Sequence, residues 1–271
     1  MSWVVVTGAS SGLGEQLVRV RSAGVPHLPK LEGIVLIARR REALEHLAEE
    51  ISAQHPHVAT LAIVADLSDP LSINHIEQSL AAQGIRGRDI TEVYSNAGVG
   101  TIGPFVESSQ DEIEAMLSVN MVATTKLLHA LMRDMVQGHA DDPGRTYRIC
   151  IIASVASFTP GPLMAVYYAS KAFALSLGQA LRREVKNQGI HVTVACPGPF
   201  DSAFHRNAGI RTSVPAHATA ARVARVILRG VRRDRAVIPV GLGARLWGVL
   251  GPRLPRSWAR EIMFRIQSRR S

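Results

Sequence analysis

A short apolar run, Trp3–Thr7, passes directly into Thr7-Gly8-Ala9-Ser10-Ser11-Gly12-Leu13-Gly14 and then into a helical stretch over 15–21. Strand, glycine turn, helix is the unit that most limits what this chain can become. The pattern recurs. Gly33–Ala38 is a continuous apolar run that reads as a strand buried on both faces, and 60–65, 92–95, 148–153 and 192–196 supply further buried strands. Between them, Leu44, Leu47, Ala48 and Ile51 give Arg41–Gln54 helical spacing, and helices are predicted over 71–83, 110–137, 166–187 and 216–232. A seventh strand is predicted at 236–240. Strands buried on both faces need cover on both faces, and right-handed crossover helices provide it. The predicted fold is α/β, one doubly wound parallel sheet of about seven strands in a single domain. In such sheets ligands bind at the carboxyl ends of the strands.

The predicted helix 166–187 carries a proton-transfer set. Tyr167 and Lys171 lie four positions apart, on one helical face, with Ser154 upstream. A phenol titrates near ~10 and is a poor acid–base group at neutral pH. An ammonium beside it favours the phenolate, so Lys171 is expected to lower the Tyr167 pKa. With four Tyr and four Lys in 271 residues, a chance Tyr-x-x-x-Lys pair is expected only about 0.06 times.

Five motifs in order now resemble the short-chain dehydrogenase/reductase family. They are the glycine loop, Asp66-Leu67, Asn96-Ala97-Gly98, Ser154 with Tyr167-x-x-x-Lys171, and Pro197-Gly198; the likeness runs from Val4 to about Val240. The resemblance implies a Rossmann-type sheet, with 1–240 as the dinucleotide-binding and catalytic domain and 241–271 as a basic amphipathic extension of it. Gly8 allows the sharp turn, Gly12 lets the backbone approach a pyrophosphate, and Gly14 lets the helix pack closely on the sheet. Ser10, Ser11 and Leu13 complete this phosphate loop at a helix N-terminus. By the family's pattern Asp66 and Leu67 flank the adenine, and Asn96, Ala97 and Gly98 line the ribose and the end of the fourth strand. Ser95 stands where that pattern often has a second Asn.

The end of the second strand points to the cofactor. NAD-specific members usually carry an acid there for the ribose 2′-hydroxyl. Here Ala38 is followed by Arg39, Arg40 and Arg41, and guanidinium groups grip a 2′-phosphate that a carboxylate would repel. NADP(H) is therefore predicted, held by Arg39 and Arg40 with Ser10 and Ser11 adding hydroxyls; Arg41 reads as a solvated helix start.

For the chemistry, the resemblance makes Tyr167 the general acid–base, Ser154 the group that polarises the carbonyl oxygen, and Lys171 a holder of the nicotinamide ribose. Asn120 matches the family asparagine that orders a relay water. Pro197, Gly198, Phe200 and Ser202 match the segment closing over the nicotinamide, Ser202 standing in for a threonine. Tyr168 has Ala172 as its i+4 partner and reads as packing. The ten His and two Cys form no metal-ligand spacing, and Ser154 lacks a Gly-x-Ser-x-Gly elbow, so metal and hydrolase readings fail.

The expected activity is hydride transfer between NADP(H) and a carbonyl or alcohol. The alternative is a non-catalytic NADP(H)-binding sensor or scaffold on the same fold. Phe158, Leu163, Met164, Phe200 and Phe204, with His205 and Arg206 as the charges, are expected to wall a largely apolar substrate site. The interval from Gly14 to Arg39 is longer than the family's usual one and holds Gly24, Pro26 and Pro29, which predicts an early helix end and puts the packing of helix on strand there in question.

Charge divides unevenly. Residues 222–271 hold 13 Arg against Asp234 and Glu261, a net +11, so with +9 overall residues 1–221 carry −2. The tail mixes these arginines with Leu246, Trp247, Val249, Leu250, Trp258 and Phe264, and either caps the cleft or lies on an anionic membrane surface. No motif supports nucleic-acid binding. Two isolated cysteines, Cys150 and Cys196, read as buried reduced thiols, and a strand beginning at Trp3 leaves no signal segment before it, so a cytoplasmic protein is expected. A homo-oligomer, dimer or tetramer, is expected through the long helices.

Overall fold

In a computed structural model, which describes residues 2–200 and 218–269, the apolar runs become one parallel sheet. Its strands are β1 (Trp3–Thr7), β2 (Gly33–Ala38), β3 (Ala59–Val64), β4 (Ile90–Ser95), β5 (Tyr147–Ile152), β6 (Ile190–Pro197) and β7 (Val237–Val240). They stand in the order β3-β2-β1-β4-β5-β6-β7. Alternation sorts each strand's side chains between two cores. Val4 and Val6 face one side, with Leu17 and Val18 of α1 (Gly12–Ser22), Leu44, Leu47 and Ile51 of α2 (Arg41–Gln54), and Val223, Ile227 and Leu228 of α7 (Ala220–Arg232). Val5 faces the other, with Ile73 and Ile76 of α3 (Ser72–Ala82), and Leu127 and Leu131 of α5 (Thr124–Asp141). Ala174 of α6 (Ala165–Glu184) joins that second core. Chain order reverses between β1 and β4, which opens a crevice at their carboxyl ends.

Two details depart from the sequence expectation, and a third decides between alternatives it left open. Helix α1 starts at Gly12, inside the glycine loop, and ends at Ser22, ahead of the Pro-containing loop as expected. The question over its packing is answered by a buried ion pair. Arg21 and Glu92 are almost fully enclosed, with Arg21 Nη2 to Glu92 Oε1 at 2.8 Å. Arg21 also donates to the Pro29 carbonyl at 2.7 Å, and Tyr94 donates its hydroxyl to Glu92 at 2.8 Å. Burial works against the Arg21 charge, but the bonds to Glu92 and its charge outweigh this and raise the guanidinium pKa. The longer loop is thereby tied to the sheet.

The helix expected as continuous over 110–137 is instead α4 (Gln110–Leu117), a widened π segment (Ser118–Ala123) and α5. The widening lies at Asn120, whose side chain bonds outside its own helix, as described below; such bulges are frequent at functional sites. By length and composition the run Gln110–Asp141 is apolar enough to cross a bilayer, but half of the window is buried, as in a core helix. Third, the basic tail folds back. Helix α8 (Leu242–Leu250), a 3₁₀ turn (Gly251–Arg253) and α9 (Arg256–Gln267) pack over the crevice. Trp247 Nε1 donates to Thr159 Oγ1 at 3.2 Å, and Gln267 Nε2 to the Tyr168 hydroxyl at 2.6 Å.

Candidate active site

A cavity of about 780 Å³ runs along the carboxyl edge of the sheet from the glycine loop to α6. At its nucleotide end, Gly8 takes a positive φ of 66°, a turn that side chains disfavour. A Cβ on Gly14 would sit 2.2 Å from the Gly8 carbonyl oxygen, so Gly14 serves the close approach of helix to loop and does not line the cavity. Ser10, Ser11, Gly12 and Leu13 line it at the start of α1, where unpaired amides favour anions. The loop is braced by its first residue, Thr7, a role that the sequence reading did not assign. Thr7 Oγ1 accepts from the Asn96 and Ala97 amides at 2.9 and 3.0 Å, and Asn96 Nδ2 donates to the Thr7 carbonyl at 2.9 Å.

Beyond Ala38 at the end of β2, Arg40 reaches back to the loop, Nη2 donating to the Ser10 carbonyl at 2.7 Å. Arg39 is exposed and lies 3.8 Å from Asp66. Arg41 pairs with Glu45 one turn along α2, as its reading as a helix-start residue requires. Burial works to raise the Asp66 pKa, but bonds from the Ser68 amide and hydroxyl and the Arg39 charge outweigh it and hold the carboxyl low. Asp66, Leu67, Asn96, Ala97 and Gly98 all line the cavity.

At the reaction end, Tyr167, Lys171, Ala174 and Gly178 are buried at helical spacing along one face of α6. Lys171 Nζ lies 5.8 Å from the Tyr167 ring centroid and donates to the Ile152 carbonyl at 3.1 Å. Ser154 follows β5, and its Oγ accepts from the Ala156 amide at 3.1 Å. Ser157 Oγ donates to the Lys171 carbonyl at 2.7 Å, fastening this turn to α6.

The electrostatics correct one expectation. Burial pushes the Tyr167 phenol up to about 12, with a Ser154 hydrogen bond pulling it down and Tyr168 adding to the rise. Burial likewise brings Lys171 down to about 8. Lowering of the phenol by the ammonium does not dominate here, because desolvation of the enclosed hydroxyl is the larger effect and Lys171 is turned to the Ile152 carbonyl.

Asn120 stands behind the cavity wall. Its Oδ1 accepts from the Val99 amide at 2.9 Å, and its Nδ2 donates to the Val99 carbonyl and to Ser170 Oγ, each at 2.9 Å. Ser170 in turn donates to the Tyr167 carbonyl at 2.8 Å. A Cβ on Gly98 would fall 3.0 Å from Lys171 Nζ and 3.3 Å from Asn120 Oδ1, so Gly98, Lys171 and Asn120 are immediate neighbours. Pro197, Gly198 and Phe200 line the cavity after β6, whereas Ser202, Phe204, His205 and Arg206 fall outside the described residues.

The substrate wall differs from expectation. Met164 and Phe200 line it, but Phe158 packs against the main core and Gly248, and Leu163, in a left-handed conformation, is not among the lining residues. Tyr168 is more than packing: it lines the cavity and accepts from Gln267. Met116, Met263 and Gln267 had no local signal, because they reach the site only through α4 and the folded-back tail. Gln267 Oε1 is buried with no hydrogen-bond partner. Among the described residues no cluster of metal-ligating side chains exists.

With this geometry in view, the short chain dehydrogenase family model matches residues 2–213, and the chain belongs to that family. A 1-deoxy-11-beta-hydroxypentalenate dehydrogenase from Streptomyces avermitilis is 33% identical over 76% of this chain and 71% of its own length. A very-long-chain 3-oxoacyl-CoA reductase from Meyerozyma guilliermondii is 29% identical over 79% of this chain, which spans only 60% of that relative's length. Among solved structures, a short-chain dehydrogenase from Sphingobium yanoikuyae in complex with NADPH superimposes with a TM-score of 0.78 at 30% identity, covering 93% of this chain and 94% of the other. The chain thus belongs to an oxidoreductase family whose fold binds a nicotinamide cofactor.

Proposed function

We propose that this protein is an NADP(H)-dependent reductase of apolar ketones or aldehydes, with Tyr167 as proton donor. The observation that carries the reading is convergence: Tyr167, Ser154 and Lys171 face one cavity whose far end is the glycine loop with Arg39 and Arg40. The cavity's size suits a dinucleotide and a small substrate together. The α1 N-terminus would hold the pyrophosphate, Arg39 and Arg40 the 2′-phosphate, and Lys171 with Asn96–Gly98 the nicotinamide-side ribose. When bound, the cofactor supplies a hydride to the carbonyl carbon. Ser154 Oγ orients and polarises the carbonyl oxygen, and Tyr167 delivers the proton to it. Tyr167 is protonated at neutral pH, as a proton donor must be, although burial makes it a weaker acid than a free phenol. The proton that Tyr167 gives up is replaced from solvent, and Lys171, brought down to about 8 by burial, would relay it. Asn120 positions α6 through Ser170 and the loop after β4 through Val99.

An apolar substrate is supported by Met116, Met164 and Ala156 around Tyr167. The Sphingobium neighbour's NADPH and the arginines after β2 support NADP(H). Exposed Phe105, Val106, Leu117 and Val122, on and beside α4, support a homo-oligomer. Two buried, unpaired thiols support a cytoplasmic setting. The test is loss of NADPH absorbance across a panel of ketones and aldehydes, with NADH in parallel. Tyr167→Phe is expected to lose about 10²–10⁴-fold in turnover while still binding NADPH. A variant retaining wild-type turnover overturns the assignment.

A further inference from the structure

We infer that the outer face of the tail is a docking surface for an anionic membrane, so that the element capping the cavity also rests on lipid. Helix α8 is apolar on two opposite sides. Ala244 and Trp247, with Gly251 one turn on, face inward, Trp247 bonded to Thr159. Leu242, Leu246, Val249 and Leu250, spaced i, i+4, i+7 and i+8, form a continuous outer stripe; Leu242 is 78% exposed and Leu246 64%. Arg245 flanks that stripe. Helix α9 adds a second apolar stripe, beside its buried face. Ala259, Met263 and Gln267 are buried, while Trp258, Ile262 and Ile266, one position before each, are exposed, with Trp258 at 65%. A water-facing helix normally carries polar residues on such a face, so two apolar outer stripes in one lid mark a contact surface.

Charge selects the occupant. Residues 242–269 contain Arg245, Arg253, Arg256, Arg260, Arg265 and Arg269 against Glu261, a net +5, and Glu261 is paired with Arg265 at 3.0 Å. A two-fold contact between copies would press this cationic face against itself. Anionic headgroups instead neutralise the arginines while the aliphatic stripe and Trp258 enter the interface. Beneath this surface Met263 packs in the cluster that holds Tyr167, so an apolar substrate dissolved in lipid would meet the lid directly. The docking claim itself does not depend on turnover.

The experiment is co-sedimentation of the full chain with vesicles of phosphatidylcholine alone or mixed with phosphatidylglycerol, at low and high salt, with tryptophan emission recorded. Binding to the anionic vesicles should exceed that to neutral ones at least about tenfold and fall with salt. The emission should shift to the blue, and Trp258→Phe should reduce that shift. Leu246→Glu with Val249→Glu, or Arg256→Ser with Arg260→Ser, should each abolish binding while circular dichroism and NADPH affinity stay unchanged. Equal binding to both vesicle types, no binding to either, or a self-association that the Leu246→Glu/Val249→Glu pair dissolves while vesicles are ignored overturns the proposal. So does binding of a DNA duplex in place of vesicles.

Discussion

The floor of the cavity and its lid are built on different terms. The floor is made of strand ends, and its groups are tied to one another by buried, largely backbone-mediated bonds: Thr7 to Asn96 and Ala97, Asn120 to Val99, Lys171 to Ile152. The lid hangs from the floor by side chains, Trp247 on Thr159 and Gln267 on Tyr168, and presents apolar residues outward. Strand ends in a close-packed sheet, and the buried face of α6 bonded to them, cannot shift singly, so Ser154, Tyr167 and Lys171 are held in place. An appended helix pair can change its contacts without disturbing that frame. Under the proposed function, chemistry would belong to the rigid region, and choice of substrate and surface to the adaptable one.

The sharpest way to break this contrast is to damage the floor away from the reaction. Arg21→Met leaves Glu92 charged and enclosed without its partner, and is expected to cost about 3–5 kcal/mol of stability, read as a fall in unfolding midpoint. A change below 1 kcal/mol would mean the frame is softer than described. At the nucleotide end, Arg39→Ser with Arg40→Ser should raise the KM for NADPH by about tenfold or more, as charge-assisted bonds are worth ~1.5–3 kcal/mol each, and leave that for NADH nearly unchanged. Equal losses for both cofactors would remove these arginines from 2′-phosphate recognition.

Titration sharpens the contrast within the floor. With Lys171 held at about 8, reductive kcat/KM should decline as pH rises through that value, because the neutral amine neither returns a proton nor favours the phenolate. Stability should move the other way. Between about 8 and the ordinary 10.5 the unfolded chain binds the extra proton, so the penalty for burying this ammonium is relieved as pH rises. A rate independent of pH up to 10 contradicts the assignment. The smallest effect is expected in the lid. Gln267→Leu removes the bond to Tyr168 and should cost about 1 kcal/mol, appearing in KM for the carbonyl substrate with kcat nearly intact. A loss in kcat equal to that of Tyr167→Phe would erase the division between floor and lid.

Much of the floor was legible because its requirements are local. Gly8 and Gly14 mark a turn and a close approach, and Tyr167 and Lys171 share a face by spacing alone. The second arginine after β2 lies where the reading placed it, although it grips Ser10 here. What escaped notice was long-range. Arg21 meets Glu92 across 71 positions and Gln267 meets Tyr168 across 99. Neither has a motif, since each depends on which helix packs where. The same holds for Phe158 and Leu163, assigned to the wall by proximity in sequence but absent from the cavity lining, Phe158 because it packs against the core. Likewise the energetic balance at Tyr167 needed burial, a quantity that spacing does not carry.

By itself, then, the order of residues determined the sheet, its helical cover, the glycine loop and the shared face of Tyr167 and Lys171, because periodicity and backbone conformation are set within a few neighbours. Only the tertiary structure decided that the tail closes over the cavity, that Arg21 and Glu92 lock the longer loop to the sheet, and that desolvation raises the pKa of the phenol. Those outcomes depend on contacts between distant segments and on the exclusion of water, and both exist only once the chain has packed.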